Sequence, residues 1–323
     1  MLMTIILFIV GFVLITKGAD MFINCTVEIG RRTHISELIL GATIVSFATT
    51  LPELTVSLCA SINNQTTMSL GNAVGSIICN TGLILGLVGF ISPFKVDRSM
   101  FISKSTLLLI SILILIVVGL DGSINKTNAF FLLIILGVFI YTNYRSVVPK
   151  NTRNTSIDIV GKNIKIDKFK LGELIKIIVL FISGLVMMII GSRILVNNGS
   201  EIAKFIGIPE GIVSLTVIAL GTSLPELVSS LTAIRKKHHA ISVGNILGAN
   251  ILNITSVISL SALANEIPVL SQNSTIDYPF MIILILTLVL PSLKGSKIYR
   301  YQGMMLLLVY CSYLATLYFM YIR

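Results

Sequence analysis

Ten long apolar segments leave few folds open to this chain. Each is close to the length of about 20 residues that a helix needs to cross the hydrocarbon of a bilayer. Only 12% of the residues are charged and 54% are apolar, with a mean hydropathy of +0.95, whereas soluble domains carry roughly a quarter charged residues. The sequence therefore predicts an all-α membrane protein of ten transmembrane helices, with the lipid bilayer as its solvent. The segments run approximately 2–24, 35–60, 69–93, 101–120, 127–146, 171–196, 209–234, 241–265, 276–293 and 302–321.

The net charge of +10 reflects membrane topology rather than a nucleic-acid partner. The basic residues lie in the connectors between apolar segments and do not form one amphipathic face. If the most basic connector, 147–170, is placed in the cytoplasm, that side collects 18 of the 24 Lys and Arg and the opposite side only four. We therefore expect the 147–170 loop to be cytoplasmic and both termini to lie outside.

The two halves of the chain are copies of each other. One constant shift in numbering, without gaps, places Leu51-Pro52-Glu53-Leu54 on Leu224-Pro225-Glu226-Leu227 and Gly71-Asn72 on Gly244-Asn245. We call this shift, which carries Glu53 onto Glu226, the repeat offset. Each half holds five helices, an odd number, so the second copy must cross the membrane upside down.

We predict a first five-helix repeat at 1–147, a basic cytoplasmic linker at 148–170 and a second, inverted five-helix repeat at 171–323. Inverted repeats of this kind are typical of secondary transporters, whose site lies near the bilayer midplane between the repeats. The repeat therefore predicts both a transport function and the place of the site.

Glu53 and Glu226 are the acidic residues that fall in the middle of apolar segments. A carboxylate at that depth costs about 3 kcal/mol and is a functional candidate by default. No Arg or Lys lies at comparable depth. Cations from solution are then the remaining counter-charge, although one Pro-Glu copy alone could also be a structural kink with a protonated glutamate.

The residues around the two glutamates supply oxygen atoms. Thr49 and Thr50 precede Glu53 by four and three positions, which places their hydroxyls on its helical face, and Thr222 and Ser223 repeat the arrangement before Glu226. A site with oxygen ligands and without Cys or His favours a hard cation, of which Ca²⁺ fits best.

Prolines and amides complete the pattern. Pro52 and Pro225 are expected to break their helices and to free backbone carbonyls one turn upstream. Asn72, Ser76 and Asn80 follow at i, i+4 and i+8 on one helical face. The matching residues in the second half are Asn245, Ala249 and Asn253.

The same residues argue against an enzyme. An intramembrane hydrolase needs a Ser/His or paired acid arrangement at depth, and no His lies inside an apolar segment.

Lys17 and Asp20, at i and i+3 near the end of the first segment, are expected to form an ion pair at the membrane interface.

The chain resembles the cation/calcium exchangers, and it is most similar to the compact prokaryotic sodium/calcium exchangers. The resemblance covers nearly the whole chain and rests on two paired signatures. These are Ala48-Thr-Thr-Leu-Pro-Glu53 with Gly71-Asn-Ala-Val-Gly-Ser76, and Gly221-Thr-Ser-Leu-Pro-Glu226 with Gly244-Asn-Ile-Leu-Gly-Ala249.

The resemblance implies Na⁺-driven Ca²⁺ antiport across the cell membrane, with the first and sixth helices sliding over the rest. Ca²⁺ and Na⁺ would be the transported ions, with no organic cofactor and no obligatory protein partner. Glu53 and Glu226 would bind both ions and Thr49 and Thr222 would add Ca²⁺ ligands. The flanking Na⁺ sites and the central position would be completed by the carbonyls of Ser46 and Ala219, the hydroxyls of Thr50, Ser223 and Ser76, and the amides of Asn80 and Asn253.

Departures from the family pattern bear on the coupling ion. Ala249 replaces the usual serine, so one Na⁺ site loses a hydroxyl. Asn253 stands where potassium-dependent relatives carry an acid, which favours K⁺-independent exchange. The open alternative is H⁺/Ca²⁺ antiport. Proton-coupled relatives usually carry a glutamate after the Gly-Asn of each repeat, and this chain has none there.

Overall fold

The computed structural model describes residues 1–147, 171–205 and 210–322 of the 323-residue chain. Nine of its helices are long and apolar enough over the described residues to cross a membrane, and a tenth, α7, has 26 residues. The predicted all-α membrane fold of ten helices is thus confirmed, while the predicted 148–170 linker lies outside the described residues. The helices are α1 (Leu2–Thr33), α2 (Glu37–Ile62), α3 (Thr66–Ile91), α4 (Arg98–Val118), α5 (Lys126–Val147), α6 (Leu171–Phe205), α7 (Glu210–Arg235), α8 (His239–Ala264), α9 (Asn273–Asp277 with Tyr278–Gly295) and α10 (Arg300–Ile322).

Two short antiparallel ribbons at the helix ends display the inverted repeat. The strands are β1 (Phe94–Lys95), β2 (Ser123–Ile124), β3 (Ile267–Pro268) and β4 (Lys297–Ile298). β1 pairs with β4 and β2 pairs with β3. The repeat offset carries β1 onto β3, and it carries β2 to the position next to β4. Each repeat therefore pairs its first strand with the second strand of the other repeat, as a two-fold relation between the halves requires.

The helices α1 and α6 pack against each other through glycines. A Cβ on Gly11 would lie 2.9 Å from the carbonyl oxygen of Gly191, and a Cβ on Gly18 would lie 2.7 Å from that of Gly184. The earlier glycine of one helix meets the later glycine of the other, so the two helices run antiparallel. Small residues let membrane helices approach closely, and here they make α1 and α6 one tightly joined pair.

The interior of the bundle is formed by α3 and α8, the most buried of the membrane-crossing helices among the described residues. Both carry a π-helical turn, Asn80–Ile84 in α3 and Asn253–Ile258 in α8, and α2 has one at Gly41–Val45. A π turn interrupts the regular i to i−4 hydrogen bonds and is frequent at functional sites. These three turns lie next to residues that the sequence predicts as ion ligands, whereas a fourth, Asn273–Asp277 in α9, does not.

The prolines do not end their helices, in contrast to the sequence expectation. Helix α2 is regular from Ser46 to Ile62 with Pro52 inside, and α7 runs through Pro225. A proline removes only one main-chain hydrogen bond, and in α7 the carbonyl of Gly221, four positions upstream, accepts a bond from the Ser192 hydroxyl instead (2.8 Å). The irregularity of α2 is the π turn upstream of its proline.

The ion pair expected between Lys17 and Asp20 is also wrong. Asp20 of α1 instead pairs with Arg235 (2.5 Å) and Lys236 (3.2 Å) at the end of α7. Lys236 further donates to the backbone carbonyl of Asp20 and to Asn24. The acid therefore joins two helices, because the side chain turns toward the neighbouring helix end rather than along its own helix.

Candidate cation site

The carboxylates of Glu53 and Glu226 lie in the protein interior. Glu53 in α2 has no exposed surface and Glu226 in α7 is 1% exposed. Neither carboxylate has a hydrogen-bond partner among the described residues, and the two interact electrostatically with each other. Two unpartnered carboxylates at this depth are costly unless a cation or protons neutralise them.

Hydroxyls predicted as ligands in one repeat interact with the glutamate of the other repeat. The Glu53 carboxylate interacts electrostatically with the hydroxyls of Thr222 and Ser223, and the Glu226 carboxylate with the hydroxyl of Thr49. None of these contacts reaches hydrogen-bonding geometry within the described structure. Each glutamate therefore faces hydroxyls of the opposite half of the chain. The spacing within one helix predicts only hydroxyls of the same half.

Ser76 joins the same group, since its hydroxyl lies 3.5 Å from that of Thr222. Its counterpart in the second repeat is Ala249, which is fully buried and offers no oxygen there. Thr50 is buried and lines a small cavity together with Leu54 and Leu252, and its hydroxyl has no hydrogen-bond partner among the described residues.

The two asparagines predicted to line the centre are both buried. Asn80 is fully buried and Asn253 is 1% exposed, and each begins a π turn. The side-chain oxygen of each has no partner in the described part of the chain. The amide nitrogen of Asn80 donates to Asn250 (3.2 Å), which itself donates to Thr81 (2.8 Å). Because the amide nitrogen of Asn80 faces Asn250, its side-chain oxygen points away from Asn250.

Two of the predicted ligands are backbone carbonyls. The carbonyl of Ser46 lies at the end of the π turn of α2 and accepts a long hydrogen bond of 3.4 Å from the hydroxyl of Thr49. Ala219 belongs to α7 in a stretch whose side chains lie outside the described structure. Its role therefore stays a prediction.

A cavity of about 230 Å³ lies next to this group of oxygens. It lies between α2, α6 and α7 and reaches Thr222, with Pro52 and Pro225 in its wall. Of the predicted ligands, the cavity is lined by Thr222. Its remaining lining residues include Val56, Met68, Ser192, Arg193 and Asn197.

The sequence comparisons agree with this geometry. A family model described as sodium/calcium exchanger protein matches residues 3–145 and 176–319. An uncharacterized membrane protein of Methanocaldococcus jannaschii is 32% identical over 311 residues, which cover 96% of both chains. Sodium/calcium exchanger MaX1 of Methanosarcina acetivorans is 28% identical over 347 residues, covering 97% of this chain and 98% of the relative.

The chain belongs to the sodium/calcium exchanger family. A solved structure of the sodium–calcium exchanger NCX_Mj, soaked with Na⁺ and Sr²⁺, superimposes with a TM-score of 0.82 at 29% identity and covers 97% of this chain and 98% of its own. As a member of the family, the chain is a multi-pass membrane transporter and not an enzyme. The resemblance seen in the sequence is confirmed, and cation/Ca²⁺ exchange is its general activity.

Burial alone does not distinguish the exchanger site from structural acids. Asp277 in α9 is 3% exposed, and its burial is not evident from the sequence because it lies near the end of its apolar segment. Unlike the two glutamates, it accepts hydrogen bonds from Asn273 (2.8 Å) and from the Tyr313 hydroxyl (3.0 Å). The carboxylates of Glu53 and Glu226 thus differ from that of Asp277 in having no hydrogen-bond partner among the described residues.

Asn72 and Asn245 also contact the predicted ligands, although the sequence places them only on a helical face. Each contacts a threonine of the opposite repeat in the structure. Only their equivalence under the repeat offset could have signalled a shared role, since the contacts join residues 196 and 150 positions apart.

Proposed function

We propose that this exchanger is a Na⁺/Ca²⁺ antiporter that uses the Na⁺ gradient to move Ca²⁺ across the cell membrane. The observation that carries the proposal is the pair of buried carboxylates, one from each repeat, whose oxygens have no partner among the described residues. Two carboxylates neutralise one Ca²⁺ or two Na⁺, so one pocket can hold either load but resists both together. Competition of this kind couples the release of one ion to the binding of the other.

The surrounding oxygens fit both ions. Hydroxyls of Thr49, Thr222, Ser223 and Ser76 and amide oxygens of Asn80 and Asn253 are the hard ligands that Ca²⁺ takes in numbers of about six to eight. No cluster of three or more His, Cys, Asp or Glu occurs in the described ranges, so the donors do not favour a soft transition metal. The proposed Na⁺ sites use Thr50, Ser223, Ser76 and the carbonyls of Ser46 and Ala219.

Alternating access would come from the α1–α6 pair. The backbone-to-glycine contacts make these two helices one body, and α1 meets the end of α7 through the ion pair of Asp20 with Arg235. Sliding of the pair would open the site to one side and then to the other, in keeping with transporters built from inverted repeats. In this proposal both termini face outward and the 148–170 linker is cytoplasmic.

Exchange without K⁺ is part of the proposal, because Asn253 and Asn80 offer neutral amides at the centre of the site. An additional K⁺ would need further negative charge to offset its own. H⁺/Ca²⁺ antiport is the second candidate, since protons could also neutralise the unpartnered carboxylates of Glu53 and Glu226.

Uptake of ⁴⁵Ca²⁺ into proteoliposomes tests the coupling ion directly. Vesicles loaded with Na⁺ and diluted into Na⁺-free medium are compared with vesicles that carry only a pH gradient, each with and without K⁺. We expect uptake only where the Na⁺ gradient is present and no dependence on K⁺. Uptake driven by the pH gradient alone would replace the proposal with the proton-coupled one.

A further inference from the structure

The amides of Asn72 and Asn245 occupy equivalent positions in the two repeats, and neither is among the predicted ion ligands. Both are almost completely buried. The hydroxyl of Thr222 donates to the Asn72 oxygen at 3.2 Å, and that of Thr49 donates to the Asn245 oxygen at 3.1 Å. The Ser46 carbonyl is a second acceptor for the Thr49 proton, at the longer distance of 3.4 Å. Each amide thus holds a proposed Ca²⁺ ligand of the opposite repeat.

The orientation of the Asn72 amide follows from its other contacts. Its nitrogen lies 3.4 Å from the backbone carbonyl of Glu53, which can only accept a hydrogen bond. The same nitrogen lies 2.9 Å from the hydroxyl of Ser57, whose own proton goes to the carbonyl of Ser69. The NH₂ group must therefore face α2, and the amide oxygen must face Thr222.

The second repeat reaches the same arrangement with a different serine. The nitrogen of Asn245 donates to the hydroxyl of Ser229 at 3.3 Å, and that hydroxyl donates to the backbone carbonyl of Glu226 at 3.1 Å. Under the repeat offset the counterpart of Ser57 is Ser230, not Ser229. Two different local solutions thus give one amide orientation, with the oxygen toward the threonine.

The orientation matters because a hydroxyl has a single proton and two lone pairs. Beside a cation the proton must point away from the positive charge so that a lone pair can face the ion. Each threonine hydroxyl also interacts with a glutamate carboxylate, Thr222 with Glu53 and Thr49 with Glu226, and that carboxylate would otherwise attract the proton. An amide oxygen on the far side gives the proton an acceptor when the ion arrives.

We propose that Asn72 and Asn245 are positioning residues. Their side-chain oxygens accept the hydroxyl protons of Thr222 and Thr49 on the side away from the ion, so that both hydroxyls direct lone pairs at Ca²⁺. This inference rests on the proposed function of the site. Because each bond joins the two repeats, the two halves of the site are aligned with each other by the same contacts. Removing either amide is expected to weaken Ca²⁺ binding through its threonine and not independently of it.

A double-mutant cycle measured by ⁴⁵Ca²⁺/Ca²⁺ self-exchange, which needs no Na⁺ or proton gradient, tests this dependence. We expect Asn245→Ala and Thr49→Val each to raise the KM for Ca²⁺ about tenfold, the effect of losing one buried hydrogen-bond partner. The double variant should have the KM of Thr49→Val alone, within about twofold, because the amide acts only through that hydroxyl. A product of the two effects, about 100-fold, would overturn the proposal, as would an unchanged KM in Asn245→Ala.

If Asn245→Ala lowers the yield of folded protein, a smaller substitution at a neighbouring serine can replace it in the double-mutant cycle. Ser229 and Ser230 are equally buried, but the hydroxyl of Ser229 bonds Asn245 while that of Ser230 has no partner in the described structure. We expect Ser229→Ala to raise KM only in the presence of Thr49, and Ser230→Ala to leave KM unchanged. Equal effects of the two serines would contradict the positioning role. Absence of self-exchange by the wild-type protein would contradict the proposed function, and the inference with it.

Discussion

The hydroxyl of Ser192 in α6 donates a 2.8 Å hydrogen bond to the backbone carbonyl of Gly221 in α7. That carbonyl is the one left without its main-chain donor by Pro225, four positions later. The equivalent of Ser192 in the first repeat is Ala19, which has no hydroxyl to donate. The donor that serves the carbonyl upstream of Pro225 therefore has no equivalent in the first repeat, although the two proline sequences match.

Replacing Ser192 by alanine should destabilise the protein. The Gly221 carbonyl would lose its donor, at a cost of about 1–3 kcal/mol, so we expect a lower thermal unfolding midpoint in detergent. Ser312→Ala is the control, because its hydroxyl bonds only to the carbonyl of Leu308 in its own exposed helix face. Equal midpoints for Ser192→Ala and the wild type would refute the structural role of this bond.

Neutralising either site carboxylate should abolish Ca²⁺ transport. Glu53→Gln or Glu226→Gln halves the charge available to the ion, and losing one partner of a buried charge pair costs about 3–5 kcal/mol, a factor of at least about 100. The assay is ⁴⁵Ca²⁺ uptake at matched amounts of folded protein. The control is Asp277→Asn, a buried acid with its own partners, which should keep exchange. Near-normal uptake by both glutamine variants would remove the site assignment.

Restoring the missing hydroxyl should strengthen Na⁺ binding. Ala249 is the counterpart of Ser76, whose hydroxyl lies near that of Thr222, so Ala249→Ser would complete the symmetry with a further oxygen. An extra oxygen ligand should contribute about as much as one hydrogen bond, so we expect the half-activating Na⁺ concentration to fall several-fold. The measurement is the Na⁺ activation curve of Ca²⁺ exchange, with Ala262→Ser, another fully buried alanine of α8, as the control. An unchanged curve would show that this position does not contact Na⁺.

The Asp20 ion pair should hold α1 against the end of α7. Asp20→Asn removes its attraction to Arg235 and Lys236, and since the pair is partly exposed we expect a stability change below about 1 kcal/mol. The expected effect is instead on α1 movement. Buried Cys25, further along α1, should react faster with a membrane-impermeant maleimide.

This measurement uses a background in which the exposed cysteines Cys59 and Cys311 are replaced by serine. Glu28→Gln is the matched control, because Glu28 pairs with Arg31 and Arg32 of its own helix. Equal labelling rates in Asp20→Asn and Glu28→Gln would argue against a link between this ion pair and α1.

A buried lysine between α4 and α5 allows the loss of its acceptor to be compared with the loss of its charge. Lys104 is 3% exposed, bonds the side-chain oxygen of Asn143 and lies over the Phe139 ring. Asn143→Ala leaves the ammonium without this acceptor and should lower the unfolding midpoint more than Lys104→Met, which removes the charge itself. Both should leave the KM for Ca²⁺ unchanged. Greater destabilisation by Lys104→Met would show that the ammonium is stabilising in itself.

Much of the fold could be predicted from local sequence. Segment length and hydropathy indicate each helix because a helix in lipid must span the hydrocarbon, and the repeat offset with five helices per half requires inversion. The offset also relates β1 to β3 and β2 to β4, a symmetry that no single strand of this length could have revealed. Glu53 and Glu226 were predictable because a charge in a long apolar segment is rare.

The contacts between helices could not be predicted in the same way. Helical pitch tells which residues share a face, and so it suggested Lys17 as the partner of Asp20 and Thr49 as a neighbour of Glu53. Which face meets which helix depends on how far each helix is rotated and shifted, and this is set by packing such as the glycine contacts of α1 with α6. The structure therefore decided that Asp20 pairs with Arg235 and that Thr49 faces Glu226.

The membrane environment, the ten helices, the inverted repeat and the two acids within apolar segments can all be predicted from the sequence. These follow from hydropathy, length and identity between the halves, which are properties of local segments. The π turns, the bond from Thr49 to Asn245 and the contrast between Asp277 and the two glutamates, which lack partners among the described residues, depend on tertiary packing. Such features depend on atoms from distant segments meeting within about 3 Å, a distance that hydrogen bonding requires and that only the packed bundle defines.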